Sequence, residues 1–103
     1  MFMDQKTATI TEERLQKYFA ITKEALEKAK SAPCCGKRTE CTEHAHIVLD
    51  MAQRYYDDAL HFQKKGEIVN AFACLNYAHG WLDAGARLGL FEVKDSRLFT
   101  VDD

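Results

Sequence analysis

Apolar residues recur along this chain at three- and four-residue steps in three separate blocks, which is the spacing of one face of an α-helix. The first block runs Leu15, Phe19, Thr22, Leu26 and Ala29, with Tyr18 and Ala25 beside it. It predicts a helix over about residues 10–31, capped by Thr9 or Thr11. Thr9 with Glu12 matches capping-box spacing, and Glu12 and Glu13 suit the positive end of the helix dipole. Lys23 with Glu27 and Glu24 with Lys28 stand four apart on the polar side, where such pairs add roughly 0.2–0.5 kcal/mol each. Residues 31–38 (SAPCCGKR) hold the single proline and break the pattern.

The second block, Ala45, Val48, Ala52, Tyr55, Ala59 and Phe62, predicts a helix over about 42–65, capped by Thr39 or Thr42. Its alanines would let a neighbouring helix approach closely. Lys64 and Lys65 suit its negative end, and Gly66 suits a left-handed cap. A third helix, about 67–89, follows at once, so these two must lie antiparallel. It carries two apolar seams: Ile68, Phe72, Leu75, Leu82, Ala86, and Ala71, Cys74, Ala78, Trp81, Gly85, Leu88. Only the stripe Asn76, Gly80, Asp83, Arg87 is polar between them, so neighbours must enclose this helix.

The expected architecture is therefore all-α: an antiparallel three-helix bundle in one domain spanning 1–103. Residues 1–8 are expected to fray. The tail, 91–103, carries Phe91, Val93, Leu98, Phe99 and Val101 and is expected to fold back on the bundle, with residues 97–101 extended. A docked tail predicts a monomer; an undocked one leaves an apolar strip and predicts a homodimer.

Composition narrows the function classes. A chain 47% hydrophobic, with one proline and five glycines, can build a helical core at 103 residues. A net charge of −2 gives no footprint for nucleic acid or for an acidic membrane. There is no run of about eighteen apolar residues and no signal-like start, so a cytoplasmic protein is expected, with its four cysteines as thiols.

Three groups of side chains could carry chemistry. Cys34, Cys35, Cys41, His44 and His46 are zinc-ligand types, and Cys34, Cys41 and His44 are the candidate set. The spacing fits no known finger, and incidental thiols are the plainer account. Asp50, Arg54, Asp57 and His61 line one stripe of the second helix. Arg54 and His61 satisfy the loose Arg–His spacing of helical ribonucleases, where such a pair would act as general acid and base. Arg38 and His44 satisfy it too, so the pattern discriminates little, and a solvated ion-paired face explains the stripe. Third come Asn76, Tyr77, His79, Asp83 and Arg87. A carboxylate in so apolar a helix is costly without a partner, and Arg87, one turn on, is the expected one. A polar network fixing helix register is the reading here, with a ligand or partner site as the alternative.

Residues 55–91 carry Tyr56, Asp58 and Ala59, then Phe62, Gly66, Asn70 and Ala71, then Tyr77, Ala78, Gly80, Leu82 and Asp83, and close on Arg87, Leu88, Gly89, Leu90 and Phe91. This stretch resembles the archaeal domain of unknown function 357 family. The resemblance implies a small three-helix bundle with no established activity, and marks Tyr56, Asp58, Tyr77, Gly80 and Asp83 as site positions. The cysteine loop is not part of it. The hairpin also resembles a tetratricopeptide unit, but one hairpin without a repeat cannot stack into a solenoid. The expected function is a non-enzymatic protein-interaction or self-association module, with no catalytic residue and no cofactor. The site expected is Tyr56, Asp58, Asn76, Tyr77, Gly80, Asp83 and Arg87. A nucleic-acid-processing module using Arg54 and His61, or a zinc protein through residues 34–46, are the alternatives.

Overall fold

The computed structural model describes residues 9–32 and 39–101, with the side chains of Thr39 and Glu40 left aside. The expected frayed segment 1–8 and the core of the proline–cysteine loop, 33–38, lie outside the described residues. Three helices form the expected bundle: α1 (Glu12–Ser31), α2 (Thr39–Lys64) and α3 (Ile68–Arg87). Thr11, not Thr9, caps α1; its hydroxyl accepts from the Arg14 amide at 3.1 Å, and Glu12 and Glu13 fill the first turn. α2 starts at Thr39, so Thr42 lies within the helix rather than at its cap.

Two glycines end two helices in the same way. Gly66 sits at φ 76° and Gly89 at φ 75°, where a side chain would be strained. After α2, the Glu67 amide donates back to the Phe62 carbonyl at 2.9 Å and the Gly66 amide to Gln63 at 3.0 Å. After α3, the Leu90 amide donates to the Gly85 carbonyl at 2.9 Å and the Gly89 amide to Ala86 at 3.1 Å. Both are Schellman closures that satisfy the last carbonyls of a helix. The first turns the chain from α2 straight into α3; the second turns the tail back toward the bundle.

The core divides into two clusters. One end gathers Leu15 and Phe19 of α1, Ala59 of α2, and Ala71, Phe72 and Leu75 of α3. The other gathers Ala25, Leu26 and Ala29, then Ala45, Val48 and Ala52, then Leu82 and Ala86. Tyr56 packs against both, edge-on to Phe19 with ring centroids 5.8 Å apart. α2 and α3 lie along each other for most of their length, while α1 leans chiefly on α3.

The second cluster is completed by the tail. Phe91, Leu98 and Phe99 are all buried in it, as expected of an apolar C-terminal segment. Each such side chain contributes about 1.5–3 kcal/mol when fully buried, so this contact is a major part of the fold. Residues 97–101 are not extended, however: they form turns and bends. The Leu98 and Phe99 amides both donate to the Asp95 carbonyl, at 3.0 and 2.8 Å, and the Asp95 carboxylate accepts the Arg97 amide at 3.0 Å. An aspartate folding its own following residues into a turn brings Leu98 and Phe99 inward together, which an extended strand of alternating faces would not do. Among the described residues, no helix is long and apolar enough to cross a membrane.

The two glycines inside α3 have opposite surroundings. A Cβ on Gly85 would lie 2.6 Å from Phe91 Cζ and 2.9 Å from Val48 Cγ1, whereas a Cβ on Gly80 would meet nothing within 4 Å. Gly85→Ala is expected to destabilise the fold by about 1–3 kcal/mol through overpacking. Gly80→Ala is expected to stabilise the isolated bundle by about 0.5–1 kcal/mol through helix propensity alone. Urea unfolding of the two variants checks the opposite signs; equal effects would contradict this packing.

Candidate functional site

The polar residues of α3 meet the tail. His79 is one turn before Asp83, on the edge of α3 that faces α1. Its Nε2 lies 2.5 Å from the Leu98 carbonyl oxygen. A carbonyl can only accept, so Nε2 carries the hydrogen and donates. On the other side of the ring, Nδ1 lies 3.5 Å from the hydroxyl of Thr22, a buried residue of α1. His79 thus spans from α1 to the tail. Asp83, partly buried, accepts the Thr100 amide at 2.9 Å, and its carboxylate is 3.9 Å from His79 Nε2. The expected partner of Asp83 was Arg87; the structure gives that role to a backbone amide of the tail instead. The register-fixing network exists, but it fixes the tail on α3.

A second set of charges fastens the tail to α1. Arg97 makes a forked contact with Glu24, at 2.6 and 3.3 Å, and Lys28 reaches Asp95 at 2.9 Å. Lys28 is also 3.7 Å from Glu24, and Arg97 is 3.5 Å from Asp95. The hydrogen bond from Arg97 holds the Glu24 carboxyl below its ordinary value of 4.5, and that from Lys28 holds Asp95 below 3.8. Glu24 raises the Arg97 guanidinium in return. These groups are solvent-exposed and screened, so apolar burial holds the tail and the charges select its position.

Between α1, α3 and Arg97 lies a cleft of about 340 Å³, lined by Tyr18, Ile21, Thr22, Leu75, Asn76, His79, Gly80 and Asp83. Three expected site residues therefore come together here: Asn76, Gly80 and Asp83. Arg87 lies further along, in a hollow with Asp83 and residues 96–101 of the tail. Tyr77 turns away from the cleft and stacks on Tyr55 of α2, with centroids 5.2 Å apart and planes 19° apart. Tyr56 and Asp58 lie elsewhere. Tyr56 is between the core clusters, where burial raises its phenol. Asp58 is exposed on α2 near Cys74, whose thiol is pushed up by burial first and by that carboxylate second. Cys74 is a free, partly buried thiol against the first cluster, as its place among the apolar seams implied.

Other candidates are more dispersed. Arg54 pairs with Asp50 at 2.8 Å, and both are exposed. His61 is exposed with its ring against Phe62, centroids 5.8 Å apart. The ion-paired, solvated stripe describes these residues fully. Cys34 and Cys35 lie outside the described residues. Cys41, expected as a thiol, is disulfide-bonded, so it lacks the thiolate that a Cys34–Cys41–His44 zinc site requires. His44 is exposed, and the described residues contain no group of three metal-ligating side chains.

On the outward side of α2 and α3, Leu88 departs from the periodicity. Leu88, placed in a core seam from its spacing, is 74% exposed, and Val69 and Tyr77 are 70% and 63% exposed. Ile47 on α2 is 57% exposed. Tyr77, Trp81, Ala84, Asn76 and Gly80 surround a shallow hollow of about 260 Å³ on this side. The docked tail covers none of it, so tail docking does not complete the burial of α3.

Among known proteins, residues 17–91 match the model of a family described as Protein of unknown function (DUF357). No curated protein and no solved structure matches the chain. The resemblance read from residues 55–91 thus extends back through α2 and most of α1.

His79→Ala is expected to cost about 1–3 kcal/mol, because the Leu98 carbonyl loses its donor; denaturant unfolding measures it, and an unchanged midpoint would contradict the latch. Glu24 and Asp95 have lowered values, so they favour the docked tail above their ordinary values and lose that contribution as pH falls through the lowered ones. In Arg97→Ala, the Glu24 carboxyl is expected to titrate higher than in wild type when followed by carbon NMR. An unmoved titration would sink the pairing.

Proposed function

This chain belongs to the DUF357 family, and from its surface we propose that it is a non-enzymatic interaction module, binding a protein partner or a second copy through the outward face of α2 and α3. The observation that supports this most is the exposure of Ile47, Val69, Tyr77 and Leu88 on one side of a small bundle whose remaining large apolar residues are mostly enclosed. Val69, Tyr77 and Leu88 fall on one face of α3 by helical spacing, so their exposure forms a strip along that helix rather than scattered single residues. Aromatic residues stand at its centre, with the Tyr55–Tyr77 stack and Trp81 supplying large, rigid contact area.

The polar groups point the same way. His79 and Asp83 are engaged in holding the tail, and Arg54 is engaged with Asp50. None of them is arranged as a nucleophile with its base, or as an acid–base pair across a cleft. The interaction reading needs no reaction and uses the surface that packing leaves over.

Affinity capture from the host's own cell extract compares wild type with a Tyr77→Glu/Leu88→Glu chain of equal melting temperature. A protein retained by wild type and lost by the variant is the expected result. Equal retention by both would contradict a role for this face.

A further inference from the structure

The outward strip of α3 is arranged symmetrically about its own midpoint. Val69, Ala73 and Tyr77 stand on one side of the level between Ala78 and His79, and Gly80, Ala84 and Leu88 stand at matching distances on the other. All six are exposed. Large faces small where it matters: Tyr77, stacked on Tyr55 by one face, still has 63% of its surface exposed, and Gly80 has open space where a side chain would be. The shallow hollow over Gly80 is bounded by Asn76, Tyr77, Trp81 and Ala84, so it has aromatic walls.

We propose that this strip pairs two copies of the chain about a two-fold axis at the level of Ala78 and His79, with the α3 helices antiparallel. This rests on the interaction-module reading and names the second copy as the partner. A two-fold interface requires a surface complementary to itself, each residue meeting its counterpart twice. The strip meets that requirement position by position. The exposed side of Tyr77 in each copy lies over the hollow at Gly80 of the other, Ala73 meets Ala84, and Val69 meets Leu88. Asn76 falls opposite Trp81, where its amide oxygen is an acceptor for the indole N–H. No acidic or basic residue stands among these eight positions, so two copies meet without opposing like charges.

The ends add charge complementarity. Glu67 opens α3 and Arg87 closes it. Antiparallel pairing brings Arg87 of one copy to Asn70 and Glu67 of the other, and the Asn70 amide already lies 3.5 Å from the Glu67 carboxylate. A parallel pairing would set Arg87 against Arg87 and Tyr77 against Tyr77. The strip is about 30 Å long at 1.5 Å per residue. A strip one helix wide, flanked by Ile47 and Tyr55, is narrower than a standard interface of about 800 Å² per partner. The dimer is accordingly reversible and concentration-dependent.

Sedimentation equilibrium of the full chain from about 5 µM to about 500 µM tests this. Wild type is expected to approach twice the 11.8 kDa chain mass. Gly80→Leu, whose Cβ meets nothing of its own chain within 4 Å and whose longer branch occupies the hollow, is expected to raise the dissociation constant at least tenfold with no loss of melting temperature measured in dilute solution. Arg87→Glu is expected to weaken the dimer and Glu67→Arg/Arg87→Glu to restore it; the two sites are too far apart along α3 for rescue within one chain. A wild type that stays monomeric overturns the pairing, and the interaction-module reading then stands or falls on the capture experiment alone. A dimer indifferent to Gly80→Leu, or a double variant without rescue, equally overturns this interface.

Discussion

Docking of the C-terminal tail is the contact on which the rest of this structure depends. Three helices alone leave the second core cluster open on one side, because α3 is apolar around too much of its circumference for two neighbours to cover. Phe91, Leu98 and Phe99 close it. The closure demands several local features at once. Gly89 must adopt a left-handed conformation to turn the chain, Gly85 must lack a side chain to admit the Phe91 ring, and Asp95 must fold residues 95–99 into a turn. Losing any one of them displaces the apolar anchors that the others position.

That closure also determines what is left for function. A buried or half-buried polar group must find a partner, and His79 and Asp83 find theirs in the tail backbone. Residues that look like candidates for chemistry in an apolar helix are thereby committed to structure. The tail docks along the α1 edge of α3, not over the strip from Val69 to Leu88. On that strip, Val69, Ala73, Tyr77, Gly80, Ala84 and Leu88 are exposed and carry no charge, and this is the surface the proposed interaction would use.

Much of the architecture was legible because helical periodicity is local. The seam of α1 is buried residue for residue, and Gly66 caps α2 as its position after two lysines implied. The family was legible in residues 55–91 for the same reason: its motif lies within one helical hairpin. Long-range pairing was not legible. Arg97 and Glu24 are 73 positions apart, and nothing in the spacing of either indicates the other. The sequence points Asp83 to Arg87 because helical neighbours are the only partners it displays; the Thr100 amide becomes available only once the tail has turned back. Spacing alone places Leu88 inward because a second seam at three- and four-residue steps does not reveal how many neighbours a helix has. The spatial separation of the expected site residues has the same origin. Tyr56 and Asp58 are close to each other in sequence and share a motif with Tyr77, yet their helix directs one into the core and the other to solvent.

Residue-resolved amide hydrogen exchange of the full chain near neutral pH tests the central claim most directly. If the tail completes the core, the amides of Leu98, Phe99 and Thr100, which donate to Asp95 and Asp83, exchange only through the opening that also exposes α3. Their protection should then approach that of the Leu82 and Ala86 amides. Tail amides that exchange at unprotected rates while α3 stays protected would contradict the account, since the helices would then hold together without it.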